Sequence, residues 1–157
     1  MATREEIIAG LELTVTQAKR STSLFAEGEW DAKRASGWTP KEVYAHLASV
    51  AAMVPNFTQV VLSAPEGADL AQGMDFDQMN AQSVAAMASM TPAQVMQAFE
   101  GNYQKLIEFV RAAPDDLLHA KRRFLSELET ASDILATNVM LHGLHHVYEA
   151  FSRFGAP

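Results

Sequence analysis

Three of the five histidines of this 157-residue chain lie within five consecutive positions. The stretch NVMLHGLHHVYEAF, residues 138–151, contains His142, His145 and His146 and is predicted to be helical. Residues four apart on a helix lie on one face, with Cβ atoms about 6 Å apart, so His142 and His146 can bind one metal ion. His145 is rotated by roughly 100° from His146, so we expect it at the surface or beside the ligands.

A stable metal site needs a third ligand, and His46 is the better of the two remaining histidines. His46, in TPKEVYAHLASV, lies two turns into a predicted helix at the edge of its apolar stripe, whereas His119 lies in a connector. Three imidazoles from two helices leave metal positions open for water or substrate, as in catalytic centres. Buried histidines are also commonly satisfied by carboxylates or carbonyls, so a purely structural role stays open.

Several metal classes do not fit the sequence. A zincin helix needs Glu after its first histidine, but Gly143 follows His142. A ferritin-like di-iron bundle needs Glu-x-x-His motifs, and the chain has none. The chain has no cysteine, which excludes disulfides, thiolate zinc sites, iron–sulfur clusters, covalent c-type haem and a cysteine nucleophile.

Four N-cap signals indicate the helices that must position these histidines. In each, Thr is followed three residues later by Glu, Gln or Asp, so that backbone donors of the first turn are satisfied. The signals are TREE at 3–6, TPKE at 39–42, TPAQ at 91–94 and TASD at 130–133.

Apolar residues after these caps recur every three or four positions, which is typical of packed helices. The last helix is expected to bury a seam that consists of Met140, Leu144, Val147, Phe151 and Phe154. No strand-like run or hairpin signal is found, and the basic stretch KRR at 121–123 is interpreted as a solvated connector.

The sequence therefore predicts an all-α protein, a four-helix bundle in one domain spanning 1–157. One long crossover is expected to be partly helical, over residues 75–90. Pro55 is expected to kink or end the second helix, because proline removes a backbone donor and clashes with the preceding turn.

Composition limits the partners of the chain. Nearly half of the residues are apolar and a fifth are charged, which is ordinary globular composition. The formal net charge of −7 disfavours nucleic acid. No apolar run approaches the ~20 residues that cross a bilayer, and no signal peptide is evident. We therefore expect a cytoplasmic protein that binds a small molecule.

The motifs together resemble the DinB-like superfamily of four-helix-bundle metalloenzymes, which includes the N-terminal domain of mycothiol-dependent maleylpyruvate isomerases. The resemblance rests on GWTPKEVYAHL, on FDQMNAQSVAAM and on the His-x-x-x-His of the last helix, in this order. It covers almost the whole chain. Each motif is short, so the set carries the resemblance.

The resemblance implies metal ligands at His46, His142 and His146, the trio already favoured above. It implies a divalent ion such as zinc or nickel, which lowers the pKa of a bound thiol or water. It further implies a low-molecular-weight thiol, mycothiol or bacillithiol, used in S-transfer or isomerisation, and a homodimer. Candidates for a supporting or basic role near the ligands are His145, Glu149 and Asn138.

Two other interpretations compete with a thiol-dependent transferase or isomerase. The chain could be a non-enzymatic bundle that binds a metal or a small ligand. It could also be a degenerate relative whose histidines are structural, in which case chelators would leave its melting temperature unchanged.

Overall fold

A computed structural model describes residues 1–65, 67–125 and 127–153 of the chain. Helices dominate these ranges, together with one two-stranded hairpin and a 3-10 turn at Glu29–Asp31. The helices are α1 (Arg4–Thr22), α2 (Pro40–Ser63), α3 (Phe76–Ala86), α4 (Pro92–Ala112), α5 (Asp115–His119), α6 (Ala131–Leu135) and α7 (His142–Phe151). The strands are β1 (Lys121–Phe124) and β2 (Glu127–Thr130).

The helices begin where the cap signals predict. The side chains of Thr3, Thr39 and Thr91 each accept a hydrogen bond from the backbone N–H of the third helical residue. The side chain of that residue in turn accepts one from the backbone N–H of the threonine. Thr130 accepts from the backbone N–H of Asp133 and so starts α6. Such caps stabilise a helix by about 1 kcal/mol each, which fixes where every long helix enters the bundle.

Four long helices enclose the core and confirm the predicted all-α bundle. Three of them are α1, α2 and α4; the fourth consists of α6, a π-helical stretch at Ala136–Leu141, and α7, which follow one another without a break. Helix α2 packs against α4 and α7, and α1 packs against the same two helices. Helix α3 is the helical part of the long crossover, as predicted.

The expectation that the chain contains no strand or hairpin is wrong, and the stretch at 121–123, interpreted as a solvated connector, lies in a strand. Strands β1 and β2 form an antiparallel hairpin in which Lys121 pairs with Thr130 and Phe124 pairs with Glu127. The backbone N–H of Leu70 also donates to the carbonyl of Arg123, at 2.9 Å, which fixes the hairpin to the crossover. The contact with Leu70 is long-range, and the residues between the two strands lack the Gly or Asn that marks a hairpin in the sequence.

The interiors of two helices differ from the expectations. Of the two outcomes expected at Pro55, a kink or an end, the end does not occur, because α2 continues to Ser63. In α7 the expected seam is displaced, since Leu144 is only half-buried and Phe151 is 38% exposed; Phe154 lies outside the described residues. The buried positions of the fourth long helix include small residues, which permit close helix contact: Ala136, Val139, Gly143, Val147 and Ala150.

The loop between α1 and α2 is fixed by a buried guanidinium. Arg34 is 2% exposed, and its Nε donates to the carbonyl oxygen of Ala150 at 2.8 Å, near the end of α7. Its Nη2 lies 2.8 Å from Glu29 Oε2, while Arg153 Nε donates to the other carboxylate oxygen of Glu29. These hydrogen bonds from arginine lower the pKa of Glu29 and keep it ionised. Hydrogen bonds from the charged side chains of Arg34 and Arg153 thus connect the loop to the end of the last helix.

No helix in the described part of the chain has both the length and the apolarity of a membrane span.

Candidate metal centre

Three imidazoles from α2 and α7 converge at one point in the bundle. His46 Nε2 lies 3.3 Å from His142 Nε2, and His146 Nε2 lies 3.0 Å from the same atom. One ring nitrogen from each of the three histidines lies within 4.8 Å of the other two. The trio singled out in the sequence is therefore brought together by the fold, while His119 remains exposed at the end of α5, apart from the cluster.

Burial keeps two of these imidazoles neutral. His46 is only 3% exposed, and burial, followed by the effects of His142 and His146, lowers its pKa to about 3. Burial also lowers the pKa of His142 to about 4, with His146 and His145 contributing in the same direction. A neutral imidazole offers a free lone pair, so protons do not compete for these two nitrogens at neutral pH.

The donor atoms fit a metal ion better than they fit hydrogen bonds among themselves. A neutral imidazole carries one N–H, and a single N–H on His142 Nε2 cannot be directed at both neighbouring nitrogens. Tetrahedral zinc with Zn–N bonds of 2.0–2.1 Å places its ligand nitrogens about 3.4 Å apart, close to the two spacings found here. Three lone pairs directed at one cation would resolve the conflict.

Glu149 fixes the orientation of one proposed ligand. His146 Nδ1 lies 2.7 Å from Glu149 Oε2, and both side chains are largely buried. With its proton on Nδ1, His146 presents the Nε2 lone pair to the cluster. A carboxylate that accepts from a histidine ligand in this way fixes the ring tautomer and increases the basicity of the ligand nitrogen.

We expect Glu149→Gln to weaken zinc binding by about 10- to 100-fold, because the amide accepts the Nδ1 proton less strongly than a carboxylate does. Competition against a chelating indicator measures this affinity. Glu108→Gln makes the same change at an exposed position of α4 and should leave the affinity unaltered. Equal affinities in the two variants would show that Glu149 does not support the site.

Trp38 lies against the histidine cluster, a position that was not predicted from the sequence. Its ring lies 6.2 Å from the His146 ring at an interplanar angle of 14°, and 5.2 Å from the His46 ring. Trp38 directly precedes the N-cap Thr39, so the capping box that starts α2 also positions this indole. The sequence did contain a signal for this contact: an apolar residue directly before an N-cap often packs against the first turn of the helix.

The local structure of the fourth long helix also shapes the site. The π-helical stretch at Ala136–Leu141 ends directly before His142, and π-bulges occur frequently at functional sites. A Cβ added to Gly143 would lie 2.5 Å from Tyr103 Oη and 3.1 Å from Thr14 Cγ2. Gly143 therefore permits close packing of α7 against α1 and α4.

The other two residues proposed to support the ligands differ from Glu149. His145 is exposed, and its ring lies 5.5 Å from the His146 ring, which agrees with its expected place outside the cluster. Asn138 donates from Nδ2 to Thr137 Oγ1 at 2.9 Å and lines the cavity described next. Its placement favours contact with a bound molecule over support of a histidine.

A cavity of about 600 Å³ opens beside the histidines, and His46 and His142 form part of its wall. The other walls come from α2, α3, the β1–β2 turn and the start of the fourth long helix. This volume lies within the range of small-molecule sites, 300–1,000 Å³. The imidazoles are thus accessible to a ligand of that size.

The fold and the histidine cluster together define a protein of the DinB-like superfamily of four-helix bundles. More particularly, the chain belongs to the mycothiol maleylpyruvate isomerase N-terminal domain family, whose model matches residues 13–147. No curated protein matches the chain in sequence.

Solved structures share this fold at low sequence identity. YfiT from Bacillus subtilis, described as a probable metal-dependent hydrolase with an unusual four-helix bundle topology, is 18% identical, with a TM-score of 0.71 over 94% of this chain and 83% of its own. The mycothiol-dependent maleylpyruvate isomerase is also 18% identical, with a TM-score of 0.71 over 99% of this chain and 62% of its own. A histidine-to-alanine mutant of that isomerase is likewise 18% identical, with a TM-score of 0.68 over 91% of this chain and 60% of its own. The chain thus spans about three fifths of the isomerase.

Proposed function

We propose that this protein is a divalent-metal-dependent enzyme that transfers or isomerises small molecules with the help of a low-molecular-weight thiol. The observation that carries the proposal is the convergence of His46, His142 and His146 at the wall of a ligand-sized cavity. Three protein ligands leave at least one metal position open, which is the arrangement of catalytic rather than structural sites.

The residues of the chain would hold the ion and orient its ligands. The three Nε2 atoms are the proposed ligands, and Glu149 holds the proton of His146 on Nδ1. Trp38 lies against His46 and His146 on one side of the cluster. A zinc or nickel ion bound here would lower the pKa of a thiol or water and supply a nucleophile at neutral pH.

A thiol is the preferred co-substrate because the chain belongs to a family named for a mycothiol-dependent isomerase. In the transfer reaction, the thiol loses its proton, its sulfur forms a bond to an electrophilic carbon, and the leaving group departs from that carbon with its electron pair. Mycothiol and bacillithiol are the candidate thiols. A homodimer in the cytoplasm that acts on a small molecule completes the proposal.

A thiol-consumption assay tests this function. The zinc- or nickel-loaded protein is incubated with mycothiol, bacillithiol or glutathione and an electrophile such as 1-chloro-2,4-dinitrobenzene, and the thioether is measured. We expect metal-dependent formation of the thioether with mycothiol or bacillithiol. The His145→Ala protein should retain this activity, because His145 lies outside the cluster.

Two results would contradict the thiol-dependent reaction. Bound metal without turnover of any thiol and electrophile would indicate a binding bundle. Metal-dependent cleavage of ester or amide substrates without a thiol would instead indicate a hydrolase, the activity suggested in the description of YfiT.

A further inference from the structure

We infer that the cavity beside the histidines binds a substrate whose body is uncharged and largely apolar, and that it disfavours dicarboxylates. This inference rests on the proposed function for the chemistry at the histidines. The chemical class of the ligand is inferred from the side chains that line the cavity and from the absence of charged residues among those described.

Aromatic side chains form part of the cavity wall. The Phe124 ring, on the hairpin, lies 5.8 Å from the Phe57 ring of α2 and 6.3 Å from the Phe76 ring of α3, both edge to face. Three elements that are distant in sequence therefore join in one apolar wall. Aromatic walls of this kind favour flat or branched apolar groups.

Methionines complete this surface. Met53 on α2, Met74 before α3 and Met79 within α3 all line the cavity. The side chains of Met53 and Met74 are substantially exposed, as is that of Phe76. Flexible thioethers adapt to ligands of different shape. A ligand that covers exposed apolar side chains removes them from water, which favours binding.

No Lys, Arg, Asp or Glu is among the described residues that line the cavity. The polar residues of the lining, apart from the two histidines, carry only hydroxyl or amide groups: Ser49, Asn56, Asn80, Ser83 and Asn138. These groups can orient a carbonyl or hydroxyl of a ligand but cannot neutralise a negative charge. A carboxylate remote from the metal centre would lose its hydration without gaining a cationic partner, which is unfavourable.

A matched pair of fluorescent probes tests this charge preference on the full chain as purified. N-phenyl-1-naphthylamine is uncharged, and 8-anilino-1-naphthalenesulfonate has the same skeleton with one sulfonate. We expect saturable binding of one molecule of the uncharged probe per chain, with a Kd at least about tenfold lower than that of the sulfonate, because the sulfonate finds no cationic side chain on the cavity walls away from the histidines.

Lysine variants of α3 locate the binding site. Ser83 lines the cavity, whereas its neighbour Gln82 is exposed and does not. Ser83→Lys should weaken binding of the uncharged probe and strengthen binding of the sulfonate, while Gln82→Lys should behave as the unmodified protein. Asn80→Lys, at a second position of the lining, should repeat the effect if Ser83→Lys folds poorly, as judged by circular dichroism.

Equal or tighter binding of the sulfonate to the unmodified protein would overturn the inference. So would identical probe affinities in Gln82→Lys and in both of the cavity variants. The measurement needs neither a thiol nor turnover, so its outcome is independent of the thiol assay. A failed thiol assay together with the expected probe preference would contradict the proposed function and leave the ligand class intact.

Discussion

Elemental analysis of the protein, purified without a histidine tag, is expected to find about one divalent ion per chain, as three convergent imidazoles imply. The double variant His142→Ala, His146→Ala should bind that ion at least about 100-fold more weakly, since loss of a supporting partner alone costs 10- to 100-fold. The reason is geometric: His46 alone offers one nitrogen, whereas the trio offers three within 4.8 Å. Elemental analysis and zinc titration measure both quantities.

His145→Ala is the matched control for this prediction. It removes an imidazole from the same helix, next to His146, but at an exposed position outside the cluster. It should keep its metal, and a chelator should lower its melting temperature as it does for the unmodified protein. Metal-free unmodified protein with chelator-insensitive melting would instead identify the histidines as structural.

The second large effect is expected in stability, from Arg34→Met. This change should lower the free energy of unfolding by about 3 kcal/mol, because it removes a buried guanidinium that bonds both to Glu29 and to the carbonyl of Ala150 near the end of α7. The carbonyl of Ala150 and the Oε2 atom of Glu29 both lose a charged hydrogen bond. Urea unfolding followed by circular dichroism measures the loss.

Lys33→Met removes the same charge from the neighbouring residue, which is exposed. Surface substitutions of this kind usually change stability by less than about 0.5 kcal/mol, so this variant should unfold almost as the unmodified protein does. If Arg34→Met and Lys33→Met lost equal stability, the buried guanidinium would not be what joins the loop to the last helix.

Features that depend on local sequence could be predicted. Helices start at Thr3, Thr39 and Thr91 through contacts with residues three positions away. Both partners of such a contact can be identified from the sequence alone. The pairing of His142 with His146 follows from helical geometry in the same way. His46 was predicted as the third ligand from its position two turns inside a capped helix.

Features that depend on distant partners could not be predicted. Arg34 lies in a polar, glycine-containing stretch, and only the fold brings it to Ala150, 116 residues later. The strands of the hairpin pair locally, but they are short and charged, and the contact that fixes them to the crossover comes from the distant residue Leu70. The seam of the last helix was displaced because close contact at Gly143 favours small residues over large ones.

The cavity wall contributed by the hairpin has a consequence for how proteins of this architecture can diversify. The proposed reactive centre lies on α2 and α7, within the bundle, whereas Phe124 and Phe76 come from a hairpin and a crossover helix outside the four long helices. Substitutions in these two segments would alter which molecules are accepted without disturbing the histidines. Part of the selectivity is thus encoded outside the helices that carry the histidines, and this part can change while the histidines stay in place.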